Sequence, residues 1–456
     1  LKSYASGRED LSKALAERVA SLESRLRELI RGVKVGQLIV ASATGRPRGL
    51  KHLVFKELLD FEVGGGGDYL RNVIDTYTIS TEPEREVVRV AGQLGPGGIV
   101  FVSQCIGVKA VNRIVDMLRE AGLKADKAVS SSWKSIERLE RGELDVIVSV
   151  ASRYGVTVRG LDAPRVVRYT VFLGAPARSL GLEESLLNPR RLQRVLIHMR
   201  DEGVSEASEL LTGLQRLIER VEDPMVIAMA LRKGAPEEHL EVARRAYEVA
   251  VDWIRRRVLE LGRLKVGSLV FTVNEGRVYT LIPDALTYIQ ASGRASRLLD
   301  GTMTLGLSVV VEPLEELMEA LAERLKWYGR FEFKNFKDVD VDEVKRLLEV
   351  TRRGGGRKVR VRTVLLVVES PTKARTIAWF WGRPGKRRVN GVTVYETSYL
   401  DDETGDVVLL QVTATRGHLF DLVEELSNSI YGVIADGDSY KPVYDFIRRC
   451  RSCGHQ

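Results

Sequence analysis

An α/β fold built mainly on parallel strands is what the sequence predicts, and three observations carry that prediction. Short runs rich in Val and Ile, GGIVFVSQ (97–104), LDVIVSVAS (144–152) and VVRYTVFLG (166–174), alternate with helical stretches, as strands buried on both faces and joined by crossover helices do. Hydrophobic residues are 44% of the 456 and charged residues 29%, enough for packed cores; at about 150 residues per domain the length suits roughly three units. Four glycines at 64–67 and the basic RRGGGRKVRVR at 352–362 fall where linkers between such units are expected.

Taken in order, residues 8–32 read as an amphipathic helix, with Leu11, Leu15, Val19, Leu22, Leu26 and Ile30 at steps of three and four. A buried strand, Leu38 to Ala41, follows and delivers Ser42-Ala43-Thr44 to a strand end, where α/β sheets place their chemistry. Residues 1–63 are thus the expected tail of a first unit. The second covers 64–177 and 263–350, built on the three runs above with a helix near 107–121. From 178 to 262 the chain is helical and charge-rich, EEHLEVARRAYEVAVDWIRRRVLELG being its clearest helix. This stretch reads as an insertion, because strands resume with SLVFTVNEGRVYTLIP (268–283), a hairpin turning at Asn274-Glu275-Gly276. DVDVDEV (338–344) reads as a solvated helix start. Residues 351–362 are the expected basic linker, and 363–456 a third unit opening with the apolar strand TVLLVVES (363–370).

The balance of 70 Lys+Arg against 62 Asp+Glu gives +8 and a pI near 9.3, which leans toward an anionic partner. Three cysteines, Cys105, Cys450 and Cys453, are too few for a disulfide scaffold and suit a reducing compartment. No apolar window is long enough for a membrane span and no N-terminal signal pattern is visible, so a cytoplasmic protein is expected. The chain starts with Leu and stops three residues after Cys453, so a segment of a longer polypeptide is expected too.

Chemistry concentrates in a few strings. QASGRASR, Gln290 to Arg297, fits Q-x-x-G-R-x-x-R: Gly293 permits close backbone approach, and Arg294 and Arg297, three apart, share a helix face. Two guanidiniums so placed can grip nucleotide phosphates as charge builds during phosphoryl transfer; the plainer alternative is a helix start with two solvated arginines. VRGLDAP (158–164) offers Arg159, Gly160 and Asp162 on a tight loop, where Asp162 could accept from a ribose hydroxyl. In VLLVVESPTKARTI (364–377) a buried strand ends in Glu369, Ser370 caps a helix opening with Pro371, and Lys373 and Arg375 follow. A carboxylate beside a helix N-terminus and a lysine can seat Mg²⁺ and move a proton at a phosphate; an ordinary capped helix reads the same. Cys450 and Cys453, in CRSCGHQ, are half of a tetrahedral Zn²⁺ site, with a redox dithiol as the rival. Cys105 reads as a small buried hydrophobe.

These strings resemble motifs III (Ser42 to Thr44), V (158–164) and VI (290–297) of superfamily 2 helicases, with IVFVSQ in the place of motif IV. The resemblance implies RecA-like domains that bind ATP, with Arg294 and Arg297 as arginine fingers, Gln290 and Gly293 beside them, Gly160, Asp162, Ser42 and Thr44 coupling the site, and Arg159 toward DNA. The 178–262 stretch then occupies the slot of a helical latch. ESPTKARTI and TATRGHLFDL (413–422) resemble the Toprim domain of type IA topoisomerases. That likeness implies Glu369 as the cleavage-centre acid with Mg²⁺, Lys373 and Arg375 near DNA phosphate, and His418 near the reacting strand; a core histidine is the alternative for His418.

Helicase and Toprim strings on one chain together imply an ATP-dependent DNA topoisomerase. It would couple helicase-domain ATP hydrolysis to cleavage, passage and religation of one strand, introduce positive supercoils, act on single- and double-stranded DNA, and be monomeric when complete. There are also departures. No G-x-x-x-x-G-K-[ST] loop or acidic Walker B box occurs, GRPGKRR (382–388) having the wrong spacing; Asp436-Gly437-Asp438 lacks the continuation of the family's acidic pair, and the nucleophilic tyrosine is not identifiable. This chain alone is therefore expected to hydrolyse no ATP. A helicase or translocase without topoisomerase activity, and a non-catalytic DNA-binding module, are the competing readings.

Overall fold

The computed structural model describes residues 18, 21–22, 24–25, 28, 61–62, 71–128, 134–152, 155–221, 227–228, 231–232, 241–329, 331–389, 392–401, 403–415, 420–423, 429–430, 432–437 and 439–446. Ser42, Thr44, His418, Asp438, Cys450 and Cys453 lie outside them, as does the side chain of Arg159. In the first stretch residues 18, 21–22, 24–25 and 28 are helical, but Leu22, on the expected apolar stripe, is exposed.

The Val- and Ile-rich runs become strands of one seven-stranded sheet. In chain order these are β2 (Val73–Ile79), β3 (Gly98–Val102), β4 (Ala125–Lys127), β5 (Val146–Val150), β6 (Tyr169–Leu173), β13 (Gly306–Glu312) and β14 (Phe333–Asn335). Their spatial order is β14-β2-β13-β6-β3-β5-β4, and every pairing is parallel. Alternate residues feed two cores. Ile99, Phe101, Ile147, Phe172 and Val310 enter one with Tyr288, Leu317 and Leu321; Val100, Val102, Val148, Val171 and Val309 enter the other with Val90, Ile114, Val115 and Leu348. Helices therefore cover both faces: α3 (Lys134–Glu140), α4 (Val156–Arg159), α9 (Ala285–Ser292) and α10 (Glu315–Leu325) on the first, α1 (Pro83–Leu94), α2 (Lys109–Glu120) and α11 (Val341–Val350) on the second. The acidic start at 338–344 is the N-terminus of α11, where Asp340 accepts from the Glu343 amide at 3.0 Å.

Between β6 and α9 the chain leaves the sheet. It forms β7 (Ala177–Gly181), α5 (Leu182–Leu186), α6 (Pro189–Asp201), α7 (Ala207–Arg220), α8 (Glu241–Leu261), β8 (Arg263–Val266), β9 (Leu269–Asn274) and β10 (Arg277–Pro283). The strands make an antiparallel sheet in the order β7-β10-β9-β8, and the helices pack on it through Leu186, Leu196, Leu214, Ile254 and Phe271. The β9–β10 hairpin turns at Glu275-Gly276, both at positive φ (47° and 72°), as a two-residue type I′ turn requires. The stretch beginning at residue 178 is thus not purely helical at its start. β7 escapes periodicity because its sequence, ARSLG, is short and only Ala177 of it is buried. The insert's two ends meet, Ala177 opposite Pro283, and the Asp284 amide donates to Pro176 O at 2.7 Å.

The expected basic linker is partly structural. Buried Arg352 donates to the carbonyls of Leu305 (2.9 Å), Leu348 (2.8 Å), Val167 (2.5 Å) and Ala295 (3.0 Å). Then β15 (Arg357–Lys358) pairs with β12 (Thr302–Met303), which follows β11 (Leu298–Leu299). Beyond it, β16 (Val361–Val368), β17 (Gly385–Val389), β18 (Val392–Leu400) and β19 (Val407–Ala414) join β1 (Phe61–Glu62) in a five-stranded sheet ordered β1-β17-β18-β19-β16. Phe61 and Glu62, expected with the first unit, thus pair with β17. One face of this sheet is covered by α12 (Pro371–Ala378) through Ala374, Ala378, Leu410 and Val412. No helix among the described residues is long and apolar enough to cross a membrane.

Candidate functional site

The first of the two cores positions the 290–297 string, through Ala285, Tyr288, Ile289, Ala291 and Ala295. Asp284, at the N-cap of α9, accepts from the Thr287 amide at 3.2 Å, satisfying a helix-end donor that otherwise lacks a partner. The helix stops at Ser292, a single 3₁₀ turn carries Gly293 to Ala295, and the chain is extended at Ser296. Arg294 and Arg297 therefore do not share one α-helical face as their spacing suggests. The turn packs closely: a Cβ on Gly306 would lie 2.7 Å from Ala295, so only glycine lets β13 start this close beneath it. Ser296 then ties back, its hydroxyl donating to Thr304 O at 2.9 Å. Gly293 itself is not crowded, since an added Cβ would meet only Arg297 Nη1 at 3.8 Å.

The two arginines nevertheless converge. Arg294 donates from Nε to Val158 O at 2.9 Å, from Nη2 to the same oxygen at 2.5 Å, and from Nη1 to Leu161 O. Its guanidinium thereby clasps the loop carrying Gly160 and Asp162. Burial pushes its pKa down to about 9, Arg297's charge adds to the fall and Asp162 opposes it; it remains a cation at neutral pH. Arg297 lies 3.7 Å from Asp162 through Nε, and its amide donates to Thr304 Oγ1 at 3.0 Å. Gln290 sits half-buried on α9, one turn before Arg294. Arg294, Arg297, Gly160 and Asp162 thus form one cluster, which can hold a phosphate only after Arg294 leaves the two carbonyls.

Sequence reasoning missed the support of this cluster. Arg71 forms a bidentate pair with Asp75 and donates to Ser292 Oγ at 2.9 Å; Tyr288 donates to Asp75 at 2.5 Å and lies 3.1 Å from Ser308 Oγ. Burial opposes the Arg71 charge, but Asp75 outweighs it and holds the pKa above the ordinary value. Burial, reinforced by Asp75, keeps the Tyr288 hydroxyl protonated. The network fixes α9 to β2 and β13. Its one sequence signal is a carboxylate inside the strand-like VIDTYTI.

A cavity of about 240 Å³ opens at the carboxyl ends of β3, β6 and β13, lined by Ser103, Cys105, Gly174, Asn274, Tyr279 and Glu312 among others. Cys105 is exposed there, not buried as expected, because it lies in the turn after β3. Glu312 accepts from the amides of Ala175 (2.6 Å) and Leu314 (3.0 Å), and burial raises its pKa to about 7 against those two hydrogen bonds.

The second predicted centre lies on the five-stranded sheet. Glu369 is exposed just past β16, and Lys373 and Arg375 are exposed on α12. Pro371 opens the helix, but the Ser370 hydroxyl makes no capping hydrogen bond. Parallel pairing sets Val368 opposite Ala414, and the Thr415 amide donates to Val368 O at 2.9 Å. The chain entering the 413–422 string is thereby brought beside Glu369. Among the described residues no group of three or more His, Cys, Asp or Glu converges to hold a metal; Glu369 offers one hard oxygen donor.

Seven parallel strands covered on both faces by helices define an α/β domain of the open parallel-sheet class, and Arg294 and Arg297 gather at its 290–297 turn beside Asp162. No family model matches the chain. Among solved structures, the C-terminal domain of the DEAD-box protein Dbp5 aligns with 61% of this chain and 98% of its own at 13% identity and a TM-score of 0.31. Sequence relatives are much nearer: the chain is similar over almost its whole length to reverse gyrases. Reverse gyrase 2 of Aeropyrum pernix is 47% identical across 98% of this chain and reverse gyrase 1 of the same organism 39% across 98%, while that of Pyrococcus horikoshii is 36% identical across 93%. The chain spans 37%, 35% and 27% of those three proteins.

Proposed function

We propose that the chain is the helicase-to-topoisomerase junction of a reverse gyrase, an enzyme that couples ATP hydrolysis to single-strand cleavage, passage and religation and so introduces positive supercoils. One observation carries the reading. Strand β10 of the insert runs through the Asp284 cap straight into α9, and Arg294, in the 3₁₀ turn that follows α9, clasps the 158–161 loop. Movement of Arg294 is thus mechanically joined to the insert.

ATP, when bound, supplies the free energy for that movement. Arg294 exchanges the Val158 and Leu161 carbonyls for phosphate oxygens, a stronger charge-assisted partner, while Arg297 leaves Asp162 to complete the grip. Released from Arg294, the 158–162 loop changes its hold on DNA, with Arg159 toward the strand. Glu369 would be one ligand for Mg²⁺, which would stabilise charge on the reacting phosphate, and would take or return a proton there, with Lys373 and Arg375 against the backbone; Cys450 and Cys453 would be two of four Zn²⁺ ligands. Lacking a phosphate loop, this chain alone turns over no ATP.

In the full-length enzyme Arg294→Ala abolishes ATP-dependent positive supercoiling, measured on relaxed plasmid; unchanged supercoiling sinks the arginine-finger role. Glu369→Ala abolishes strand cleavage, and intact cleavage would favour a helicase whose third unit only binds DNA.

A further inference from the structure

We propose a second nucleic-acid phosphate site, apart from the motif cluster, made by Arg178 on β7, Arg191 and Arg194 on α6 and Arg324 on α10, at the seam between the insert and the parallel domain. For the identity of its ligand it rests on the nucleic-acid reading above.

Several other arginines of the insert are paired with acids. Arg255 pairs with Glu183 at 2.5 Å, Arg257 with Glu202 at 2.8 Å and Arg245 with Glu206 at 3.4 Å. The four at the seam make no ion pair among the described residues. Arg191 donates to Ser185 O at 3.2 Å and Arg194 to Ser268 Oγ at 3.2 Å, contacts that position the side chains without cancelling their charge. Burial lowers the pKa of Arg191, and Arg178, Arg324 and Arg194 lower it further; Arg324 is lowered by burial and likewise by Arg194 and Arg178. The acids facing them are Glu184, felt by Arg191, and Asp284, felt by Arg324 beside Tyr328. Asp284 is already committed to capping α9.

Arg191 and Arg324 are half-buried, while Arg178 and Arg194 are exposed, so the cluster is rooted in the fold and open to solvent. The N-terminal amides of α6 are taken by Asn188, whose Oδ1 accepts from the Arg190 and Arg191 amides at 3.1 and 3.2 Å, so the positive charge offered here is that of the guanidiniums. Gathering like charges is unfavourable unless an anion arrives, and four cations exceed what one phosphate neutralises. A nucleic-acid strand supplies one negative charge per nucleotide and releases counterions on binding. Because α10 packs on β9 and β10, a strand held here would bridge the insert and the domain it leaves.

The test uses the full chain, a labelled oligonucleotide and a salt series without nucleotide. In the variant Arg178→Gln/Arg191→Gln/Arg194→Gln/Arg324→Gln affinity falls by about tenfold or more at low salt, and the slope of log K against log salt becomes shallower by about two to three. Its Tm is unchanged or higher, since repulsion is relieved. The corresponding Arg→Lys variant keeps the salt slope. If wild type binds and the Gln variant binds equally with an unchanged slope, the seam site is wrong while the nucleic-acid reading stands; if wild type does not bind, both fail. Loss of binding in the Lys variant too would mark a structural role and overturn the proposal. So would inorganic phosphate raising the Tm as much as the oligonucleotide at equal phosphate concentration.

Discussion

The two large sheets bury their strands by different rules. In the seven-stranded sheet, β3, β6 and β13 are buried at every position, because helices lie on both faces. In the five-stranded sheet β16 alternates: Val364, Leu366 and Val368 pack beneath α12, while Leu365 and Val367 are 60% and 47% exposed. Both sequences are continuous apolar runs, so a run of Val and Leu announces a strand suited to two covered faces and not that both faces are covered. Polar groups divide likewise: the parallel domain encloses the Arg71–Asp75–Tyr288 network, whereas the Arg387–Glu396 pair on the five-stranded sheet lies open.

The largest expected difference between the sheets is in packing. Phe172→Ala, deep in the first core, costs about 3–5 kcal/mol, and Leu365→Ala less than about 0.5 kcal/mol, by urea denaturation; a loss above ~1.5 kcal/mol at Leu365 would break the contrast. Next comes charge. Asp75→Ala leaves Arg71 buried without its partner and costs about 3–5 kcal/mol, read as a lowered Tm together with faster hydrogen exchange in α9. A third measurement concerns Glu312. Its folded pKa, about 7, is above the ordinary 4.5, so the folded state binds the extra proton, and this contribution is full below pH 4.5 and lost as pH rises through 7. Wild-type stability therefore falls by roughly 3 kcal/mol over that window, and Glu312→Gln flattens the profile; an equal slope in the variant would exclude Glu312 as its source. Smallest is Glu396→Gln, at about 0.2–1 kcal/mol, since both partners are solvated.

Much of the framework was legible. β3, β5 and β6 follow from their apolar runs, the β9–β10 hairpin from Asn-Glu-Gly, and α11 from its acidic start. The missing parts depend on partners far along the chain. Arg352 stands among other basic residues and looks like linker, yet its acceptors are residues 167, 295, 305 and 348. The turn after Ser292 packs against Gly306, a contact beyond any local pattern. Spacing brought Arg294 and Arg297 to attention, but only the fold sets them around Asp162 and gives Arg294 the carbonyls of Val158 and Leu161 as partners.

The paired ends of the insert have one more consequence. With Ala177 opposite Pro283 and the Asp284 amide on Pro176 O, entry and exit are already adjacent, so a short turn could replace everything between them without stretching the parallel sheet. The junction is a graft point, at which the insert can change size or chemistry while the strand order around α9 stays the same.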